Sequence, residues 1–203
     1  MTKIKFCGLT RAEDIKAANE LKPDYIGFVF WPKSKRAVTR EQAASLKSGL
    51  DTSIKAVGVF VDEDTEVVKS LLEGGIIDIA QLHGSEDDAY IDDLKKASGK
   101  EVIKAFKVRS EDDLVRAESS HADHVLLDAG MGDGITFDWS LLGKISRPYY
   151  LAGGLYPENV ADAVRTLHPY AVDVSSGIET DGKKDMAKMA AFAANVRKED
   201  KHD

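Results

Sequence analysis

The chain has 203 residues but only one cysteine, Cys7, and no apolar run that approaches the ~18 uninterrupted residues of a membrane span. One cysteine cannot close an intramolecular disulfide, so a cytoplasmic location is expected. The first residues, Met-Thr-Lys-Ile-Lys, are not followed by a basic-then-apolar leader, and no signal peptide is expected. These absences argue against a membrane protein and against a disulfide-stabilised secreted domain.

Clustered positive charge is missing as well. The sequence carries 28 Lys and Arg against 35 Asp and Glu, a formal net charge of -7, which opposes binding to a nucleic-acid backbone. We therefore expect a small-molecule protein that holds any anionic substrate in a locally positive pocket, without a nucleic-acid or membrane partner. No linker or low-complexity tract interrupts the chain, so residues 1–203 are predicted to form one domain. Whether that domain is a monomer or a homodimer is left open.

What the sequence does contain is a series of eight apolar runs rich in β-branched residues. They cover residues 3–7, 24–30, 54–61, 76–82, 101–108, 122–128, 148–154 and 170–176. Their apolar character is nearly continuous, as expected for parallel strands covered on both faces, and segments with helical periodicity lie between them. Eight strand–helix units of roughly 25 residues each predict a (β/α)₈ TIM barrel. A doubly wound open sheet is the competing fold, but it usually has fewer strands, and no Gly-x-Gly-x-x-Gly follows the first run.

Helix starts are predicted from capping boxes, in which a hydroxyl residue is followed three positions later by an acidic or amide residue. The pairs are Thr10 with Glu13, Thr39 with Gln42, Ser85 with Asp88, and Ser110 with Asp113. In the last helical segment, one apolar face is predicted to consist of Met186, Met189, Ala190, Ala193 and Val196. We expect this face to pack on the core and residues 197–203 to form a frayed, solvated end.

A barrel places its active site where the strands end and the following loops begin. The residues at those positions with reactive, polar or glycine character are Cys7, Lys33, Lys35, Arg36, Gln81, His83, Asp128, Gly153, Gly154, Asp173, Ser175, Ser176 and Gly177. The predicted site is drawn from this set.

The glycines and serines after the seventh and eighth runs predict a phosphate site. Glycine lets backbone N–H groups approach a phosphate, hydroxyl groups add donors, and these two loops are the commonest phosphate site of this fold. Tight turns without a ligand are the alternative, because Gly-Gly pairs are common. Since both loops occur in the right units, we expect phosphate binding by Gly153, Gly154, Ser175, Ser176 and Gly177.

Three other side chains each have two interpretations. Asp128 follows three apolar residues and is either a cap or ion-pair partner, or a general acid whose pKa is raised by partial burial. Arg36 is a solvated residue in most proteins, but opposite a phosphate pocket it suits a bidentate clamp for a substrate carboxylate. Cys7 is either a small buried hydrophobe or a reactive thiol, and composition and spacing leave both open.

His83 is expected to line the site or to support its structure. The segment QLHG has no companion residue at metal-ligand spacing, and the other histidines lie at predicted helix ends or in the tail. We predict no bound metal and no cofactor.

The motifs KFCGLT, DYIGFVFWPKSKR, VGVF, QLHG, HVLLD, FDW, LAGGLYPENV and VDVSSGIE follow one another along almost the whole chain. In these motifs and their order, the sequence closely resembles the phosphoribosylanthranilate isomerase family of tryptophan biosynthesis. The motifs CGLT and VDVSSGIE are quite specific to this family. The resemblance implies an isomerase on a (β/α)₈ barrel. Its reaction is the Amadori rearrangement of N-(5-phosphoribosyl)anthranilate to 1-(2-carboxyphenylamino)-1-deoxyribulose 5-phosphate.

The resemblance also implies roles for individual residues. Cys7 matches the general base that removes the C2 proton of the ribose, and Asp128 matches the general acid that protonates the ring oxygen. Arg36 matches the residue that holds the anthranilate moiety. Asp173 lies close enough to touch the sugar, Gln81 is expected to contact the substrate, and the AGG and SSG loops match the phosphate site.

Two segments depart from the family pattern. Residues 34–36 read SKR, where the family usually has Ser-Pro-Arg, and this change removes a rigid proline and adds a positive charge near the substrate. In the sixth loop, Met131 stands where a glycine is expected and Asp133 where a hydroxyl residue is expected. The shape of residues 130–134 and any effect on substrate range are left open.

Three other functions remain as alternatives. The isomerase of histidine biosynthesis is also an Amadori enzyme on a barrel, but it has an aspartate in place of Cys7 and a substrate with two phosphates. A sugar-phosphate epimerase would need a cluster of histidines and acidic residues that binds a metal, and no such cluster can be identified in the sequence. A barrel that binds a phosphorylated ligand without turnover has the same fold, but it does not need Cys7 and Asp128 together at the barrel mouth.

Overall fold

The fold is built around eight short parallel strands. In the computed structural model, which describes residues 1–130, 142 and 145–199, the strands are β1 (Lys3–Cys7), β2 (Tyr25–Val29), β3 (Lys55–Phe60), β4 (Ile79–Leu82), β5 (Val102–Lys107), β6 (His124–Asp128), β7 (Tyr149–Ala152) and β8 (Ala171–Val174). Each strand pairs with the next, and β8 pairs with β1, so the sheet closes into a barrel. The predicted (β/α)₈ TIM barrel is confirmed, and every strand lies within the apolar run that predicted it.

Helices alternate with these strands along the chain. They are α1 (Ala12–Leu21), α2 (Arg40–Ser48), α3 (Thr65–Glu73), α4 (Asp88–Ser98), α5 (Glu111–Ser119), α6 (Pro157–Leu167) and α7 (Met186–Glu199). Between β8 and α7 the chain forms a 3₁₀ turn (Ser176–Ile178) and a hairpin of β9 (Glu179–Thr180) and β10 (Lys183–Lys184). None of the helices in the described ranges is long and apolar enough to cross a membrane.

Some sequence predictions concern residues that the structure does not describe. The connection from β6 to β7 runs through residues 131–141 and 143–144, which include the departures at Met131 and Asp133 and the FDW motif. Residues 200–203 of the predicted frayed end also lie outside the described residues.

Two of the four predicted capping boxes are confirmed. At α2, Gln42 N donates to Thr39 Oγ1 at 3.2 Å, and Thr39 N donates to Gln42 Oε1 at 2.8 Å. At α5, Ser110 N donates to Asp113 Oδ2 at 3.0 Å. In both cases the side chains satisfy backbone N–H groups that have no partner within the helix.

The boxes predicted at Thr10–Glu13 and Ser85–Asp88 are wrong. At α1 the carboxylate that accepts the free backbone N–H groups is Asp14, one residue later than predicted. At α4 the cap is Asp87, whose side chain accepts a backbone N–H at 2.9 Å. Ser85, which was predicted to cap α4, donates instead to Asp62 Oδ1 at 2.7 Å.

Alternating strand residues form two apolar layers. One set points into the barrel and consists of Tyr25, Val57, Ile79, Ile103, Ala105, Leu126, Tyr150, Ala152 and Ala171. The other set points outward and packs against the helices. Because side chains alternate with a period of two, Lys5 and Cys7 of β1 point the same way, toward the barrel interior.

The predicted apolar face of α7 is only partly correct. Its buried residues are Met189, Phe192, Ala193 and Val196. Met186 is the first residue of the helix and is 39% exposed, and Ala190 is only half-buried. Residues 197–199 were expected to fray, but they continue the helix, and Arg197 Nη2 donates to the carbonyl of Leu21 at 2.6 Å.

Aromatic rings close the end of the barrel where the strands begin. The ring centroids of Tyr25 and Tyr150 are 5.6 Å apart, those of Tyr150 and Tyr170 are 5.5 Å apart, and His124 stacks on Tyr170 at 5.3 Å. Lys3 Nζ lies 4.9 Å from the Tyr170 centroid, within cation–π distance. This packing leaves the opposite end, where the strands finish, for a ligand.

Candidate active site

One cavity brings together most of the residues predicted at the strand ends. Its volume is about 600 Å³. The predicted residues that line it are Cys7, Arg36, Gln81, His83, Asp128, Gly153, Gly154, Asp173, Ser175 and Ser176. Gly177 does not line it, and Lys33 and Lys35 are exposed outside it.

Cys7 ends β1 with its side chain turned into the cavity. The residue is 8% exposed, and Gly27 on β2 makes room for it, since a β-carbon on Gly27 would lie 2.8 Å from Cys7 Sγ. Burial raises the pKa of the thiol above its ordinary value, and the nearby Lys5 ammonium offsets part of this effect. Cys7 is therefore a thiol at neutral pH in this structure.

An ion pair is buried beside Cys7 in the barrel. Lys5 Nζ donates to Asp173 Oδ1 at 2.9 Å, and the Lys5 side chain is 0% exposed. Burial by itself lowers the pKa of a lysine, but Asp173 and Cys7 more than compensate, and the pKa of Lys5 is raised. Lys5 therefore stays charged and connects the thiol to the carboxylate predicted to touch the sugar.

Asp128 ends β6 on the same cavity. Gly130 N donates to its Oδ1 at 3.0 Å, and His83 Nε2 lies 3.7 Å from its Oδ2. Burial acts to raise the pKa of Asp128, but His83 and the Gly130 amide favour the carboxylate more strongly, so the pKa is lowered. The expected raised pKa is wrong, because these two neighbours stabilise the charged form.

Gln81 and His83 form a polar wall next to Asp128. Gln81 Nε2 donates to His83 Nδ1 at 3.1 Å, an arrangement that leaves the proton of the neutral ring on Nε2, facing Asp128. Gln81 is 1% exposed, and its Oε1 accepts no hydrogen bond from the described residues. A buried acceptor without a partner at the cavity wall suits a hydroxyl group of a ligand.

The glycine loops after β7 and β8 are in close contact with their surroundings. Gly153 has a φ of +88°, a conformation that favours glycine, and a β-carbon on it would overlap Asp128 Oδ1. A β-carbon on Gly177 would overlap the carbonyl oxygen of Leu155. Gly177 therefore allows the two predicted phosphate loops to touch each other, although it does not line the cavity.

Arg36 is paired with Glu179, an acidic residue outside the predicted site. Its Nε and Nη2 donate to Glu179 Oε1 and Oε2 at 2.6 and 2.7 Å. Lys184 Nζ donates to Glu179 Oε1 at 2.6 Å and to the Ser175 carbonyl at 2.9 Å, and Ser175 Oγ donates to the Cys7 carbonyl at 3.1 Å. These bonds join the second loop, the eighth loop and the end of β1.

A second cavity, of about 640 Å³, lies between α4, α5 and the loop after β4. It shares His83 and Lys107 with the first cavity but contains none of the other predicted site residues. The buried pair of Lys104 and Glu86, 2.8 Å apart, forms part of its wall, and Glu86 also accepts two backbone N–H groups. Both charged groups therefore already have hydrogen-bond partners within the protein, and the pair connects β5 to the loops that follow β3 and β4.

Comparison with known proteins agrees with the motifs. The family model described as N-(5'phosphoribosyl)anthranilate (PRA) isomerase matches residues 4–195. A relative from Thermoanaerobacter sp. (strain X514), named N-(5'-phosphoribosyl)anthranilate isomerase, is 45% identical over 204 residues, which cover 97% of this chain and 98% of that protein. The chain belongs to the N-(5'-phosphoribosyl)anthranilate isomerase family. The predicted isomerase of tryptophan biosynthesis is thereby confirmed.

Solved structures of phosphoribosylanthranilate isomerases share this barrel. One, in complex with reduced 1-(o-carboxyphenylamino)-1-deoxyribulose 5-phosphate, is 37% identical with a TM-score of 0.86, covering 98% of this chain and 100% of that one. Another shows monomers derived from the dimeric isomerase of Thermotoga maritima, at 37% identity, a TM-score of 0.87 and the same coverage. Membership in this isomerase family sets aside the histidine-pathway isomerase, the epimerase and the non-catalytic barrel.

The sequence prediction lacks three charged residues that form ion pairs around the candidate site: Lys5, Glu179 and Lys184. It also lacks Lys107, which lines the cavity. Lys5 has a local signal, since it stands two positions before Cys7 and therefore points the same way in a strand. Glu179 ends the VDVSSGIE motif, but its partner is 143 positions away. The Asp-Gly pair at residues 181–182 is typical of a two-residue hairpin turn, which would have placed Lys184 opposite Glu179.

Proposed function

We propose that this protein converts N-(5-phosphoribosyl)anthranilate into 1-(2-carboxyphenylamino)-1-deoxyribulose 5-phosphate with Cys7 as general base and Asp128 as general acid. One observation carries the proposal: both side chains line a single cavity that also contains the glycine–serine loops and Arg36. A protein that only bound a phosphorylated ligand would need the loops and the arginine. It would not need a thiol and a carboxyl group on β1 and β6.

The two anionic groups of the substrate match two parts of the cavity. The phosphate is placed against the backbone N–H groups and hydroxyls of Gly154, Ser175 and Ser176. The anthranilate carboxylate is placed against the guanidinium of Arg36, which suits a planar anion. The ribose then lies between them, where Gln81 offers an oxygen that accepts no hydrogen bond from the described residues.

Ring opening needs a proton at the furanose oxygen, and Asp128 supplies it. His83 and the Gly130 amide lower the pKa of Asp128, and the carboxyl group takes up its proton as the substrate binds. The substrate excludes water from this carboxylate, and its phosphate and carboxylate bring negative charge into the cavity. Both effects raise the pKa of a carboxyl group. The product of this step is an open-chain Schiff base with a positively charged nitrogen.

Cys7 then removes the proton from C2. The positive nitrogen acidifies this proton, so a modest base is sufficient, and the same charge together with Lys5 favours the thiolate over the buried thiol. Loss of the C2 proton gives an enolamine. As the ketone forms, the C2 hydroxyl loses one proton and C1 gains one, so this step leaves the number of protons on the substrate unchanged. Asp128 has donated one proton and Cys7 has accepted one, and exchange with solvent returns both groups to their starting states, so the overall change is an isomerisation without a further reactant.

The proposal is tested with purified protein and phosphoribosylanthranilate generated in situ, because this compound is unstable. Addition of the protein should abolish the substrate's fluorescence. Cys7→Ala and Asp128→Asn should each lower kcat by about 10²–10⁴-fold, the usual contribution of one general acid or base. If both folded variants keep a near-wild-type kcat, the assignment of acid and base is wrong.

We place the reaction in the cytoplasm, because Cys7 must stay reduced to act as a base. The Thermotoga maritima relative is dimeric, and this chain acts as a monomer or a homodimer. Sedimentation velocity at working concentration measures which of the two is formed.

A further inference from the structure

The pairing of Arg36 with Glu179 uses only one edge of the guanidinium. Nε and Nη2, which lie along the same edge, donate to the two carboxylate oxygens at 2.6 and 2.7 Å. A guanidinium carries five N–H groups in one plane. Among the described residues, no hydrogen bond uses the edge between Nη1 and Nη2. This edge can bind a second carboxylate, and Arg36 lines the site cavity.

Glu179 is itself held in place by the hairpin that follows β8. The turn residues Asp181 and Gly182 have φ values of +52° and +74°, as in a type I′ turn, and the resulting register places Lys184 directly opposite Glu179. Lys184 Nζ donates to Glu179 Oε1 at 2.6 Å. Burial acts to raise the pKa of Glu179, but Arg36 and Lys184 lower it to about 2, so the residue is charged at neutral pH.

The aliphatic part of Arg36 is fixed from the other side by Gly8. A β-carbon on Gly8 would overlap Arg36 Cδ, so the arginine stem lies directly over the turn that follows Cys7. With its stem on Gly8 and its head paired to Glu179, the plane of the guanidinium has a defined orientation in the described structure. Ordering a long side chain in advance lowers the entropy cost of ligand binding.

We propose that Glu179 is a positioning residue that directs the free edge of Arg36 toward the carboxylate of the anthranilate ring. This inference rests on the proposed function, since it takes Arg36 as the group that binds that carboxylate. Glu179 does not touch the substrate in this arrangement. A competing role, in which Glu179 only supports the phosphate loop through Lys184 and Ser175, would affect all phosphorylated ligands equally.

Two ligands separate these roles. One is reduced 1-(2-carboxyphenylamino)-1-deoxyribulose 5-phosphate, and the other is the same molecule without the ring carboxylate. Calorimetry gives Kd for each with the wild type and with Glu179→Gln, which keeps the size of the side chain and removes its charge. The variant should weaken binding of the first ligand about tenfold and of the second less than about twofold, because pre-ordering acts only through the carboxylate.

Turnover and a second substitution give independent readouts. In Glu179→Gln the KM should rise about tenfold while kcat stays within about threefold, because uniform binding is lost. In an Arg36→Met background, Glu179→Gln should cost no further affinity for the first ligand, because the residues act as one unit. Glu101→Gln is the matched control, since Glu101 pairs with Lys55 in a half-exposed ion pair at the other end of the barrel. This variant should leave KM and kcat unchanged.

Equal weakening of both ligands would overturn the proposal, and so would unchanged affinity for the first ligand. If Glu179→Gln does not fold, Glu179→Asp replaces it. The aspartate carboxylate is one methylene too short to reach both nitrogens of Arg36. We therefore expect the same selective loss of affinity for the ligand with the ring carboxylate. Wild-type turnover of phosphoribosylanthranilate tests the proposed function separately. A wild type that turns over the substrate but does not prefer the ligand with the ring carboxylate overturns this proposal alone.

Discussion

Gly153 packs directly against the carboxylate of Asp128. A β-carbon on Gly153 would overlap Asp128 Oδ1 and lie 2.6 Å from the nitrogen of Gly130. The β6–β7 register aligns Asp128 with Ala152, so the residue after β7 faces the end of β6. The glycine predicted to bind phosphate therefore also determines where the proposed acid can stand.

Gly153→Ala should lower kcat by about 10²-fold, because a displacement of about 1 Å in a catalytic group has that effect. The measurement is steady-state turnover of phosphoribosylanthranilate. Gly99→Ala is the control. Gly99 also has a positive φ, +63°, but apart from its chain neighbours no atom of the described residues lies within 4 Å of an added β-carbon. That variant should lose stability and keep its kcat. A wild-type kcat in Gly153→Ala would contradict the contact with Asp128.

The thiol of Cys7 should react slowly with iodoacetamide at pH 7. Burial raises its pKa, and only the thiolate is alkylated, so the rate should still be rising above pH 9. Because Cys7 is the only cysteine, mass spectrometry follows the reaction without interference. The same chain in urea serves as the reference, in which the thiol titrates near its ordinary value of about 8.5. A rate for the folded protein that levels off below pH 8 would show that the thiolate is stabilised instead.

Lys5→Met should destabilise the protein by about 3–5 kcal/mol, because it leaves the Asp173 carboxylate buried without a partner. Urea unfolding at pH 7 measures the change, and adding Asp173→Asn should restore part of the stability. Lys55→Met is the matched control, since its pair with Glu101 is about half exposed and should contribute less than about 1 kcal/mol. If both lysine variants lose the same free energy of unfolding, the buried Lys5–Asp173 pair contributes no more to stability than an exposed pair.

Arg36→Met should mainly raise KM, by about tenfold, because it removes the proposed partner of the substrate carboxylate, which would bind substrate and transition state alike. Steady-state kinetics over a range of substrate concentrations separates this effect from a change in kcat. The neighbouring Lys35→Met tests whether general positive charge is sufficient, because Lys35 is exposed outside the cavity. An unchanged KM in Arg36→Met would remove this residue from the anthranilate site.

The barrel itself is predictable because buried parallel strands are continuous apolar runs. The run at residues 3–7 is β1 itself, and the other seven strands each fall within their predicted run. Helix starts are less predictable. At α1 two acidic residues, Glu13 and Asp14, follow the turn, and only the backbone geometry selects Asp14 as the acceptor.

The candidate site, too, is predictable from the sequence in some respects and not in others. Sequence alone places Cys7, Asp128 and the glycine loops at one end of the molecule, because parallel strands all finish at the same edge of a barrel. It does not provide the neighbours that lower the pKa of Asp128, since the contact with His83 comes from a different strand.

The sequence by itself therefore determined the fold, the family and the end of the barrel at which the candidate site lies. Only the tertiary structure decided the partners: Lys5 pairs with Asp173 across 168 positions and Arg36 with Glu179 across 143. The physical reason is one of scale. An apolar run encodes burial through a repeating local pattern, whereas a hydrogen bond depends on distances within a few tenths of an ångström, which are set when β8 closes onto β1 and brings the loops together.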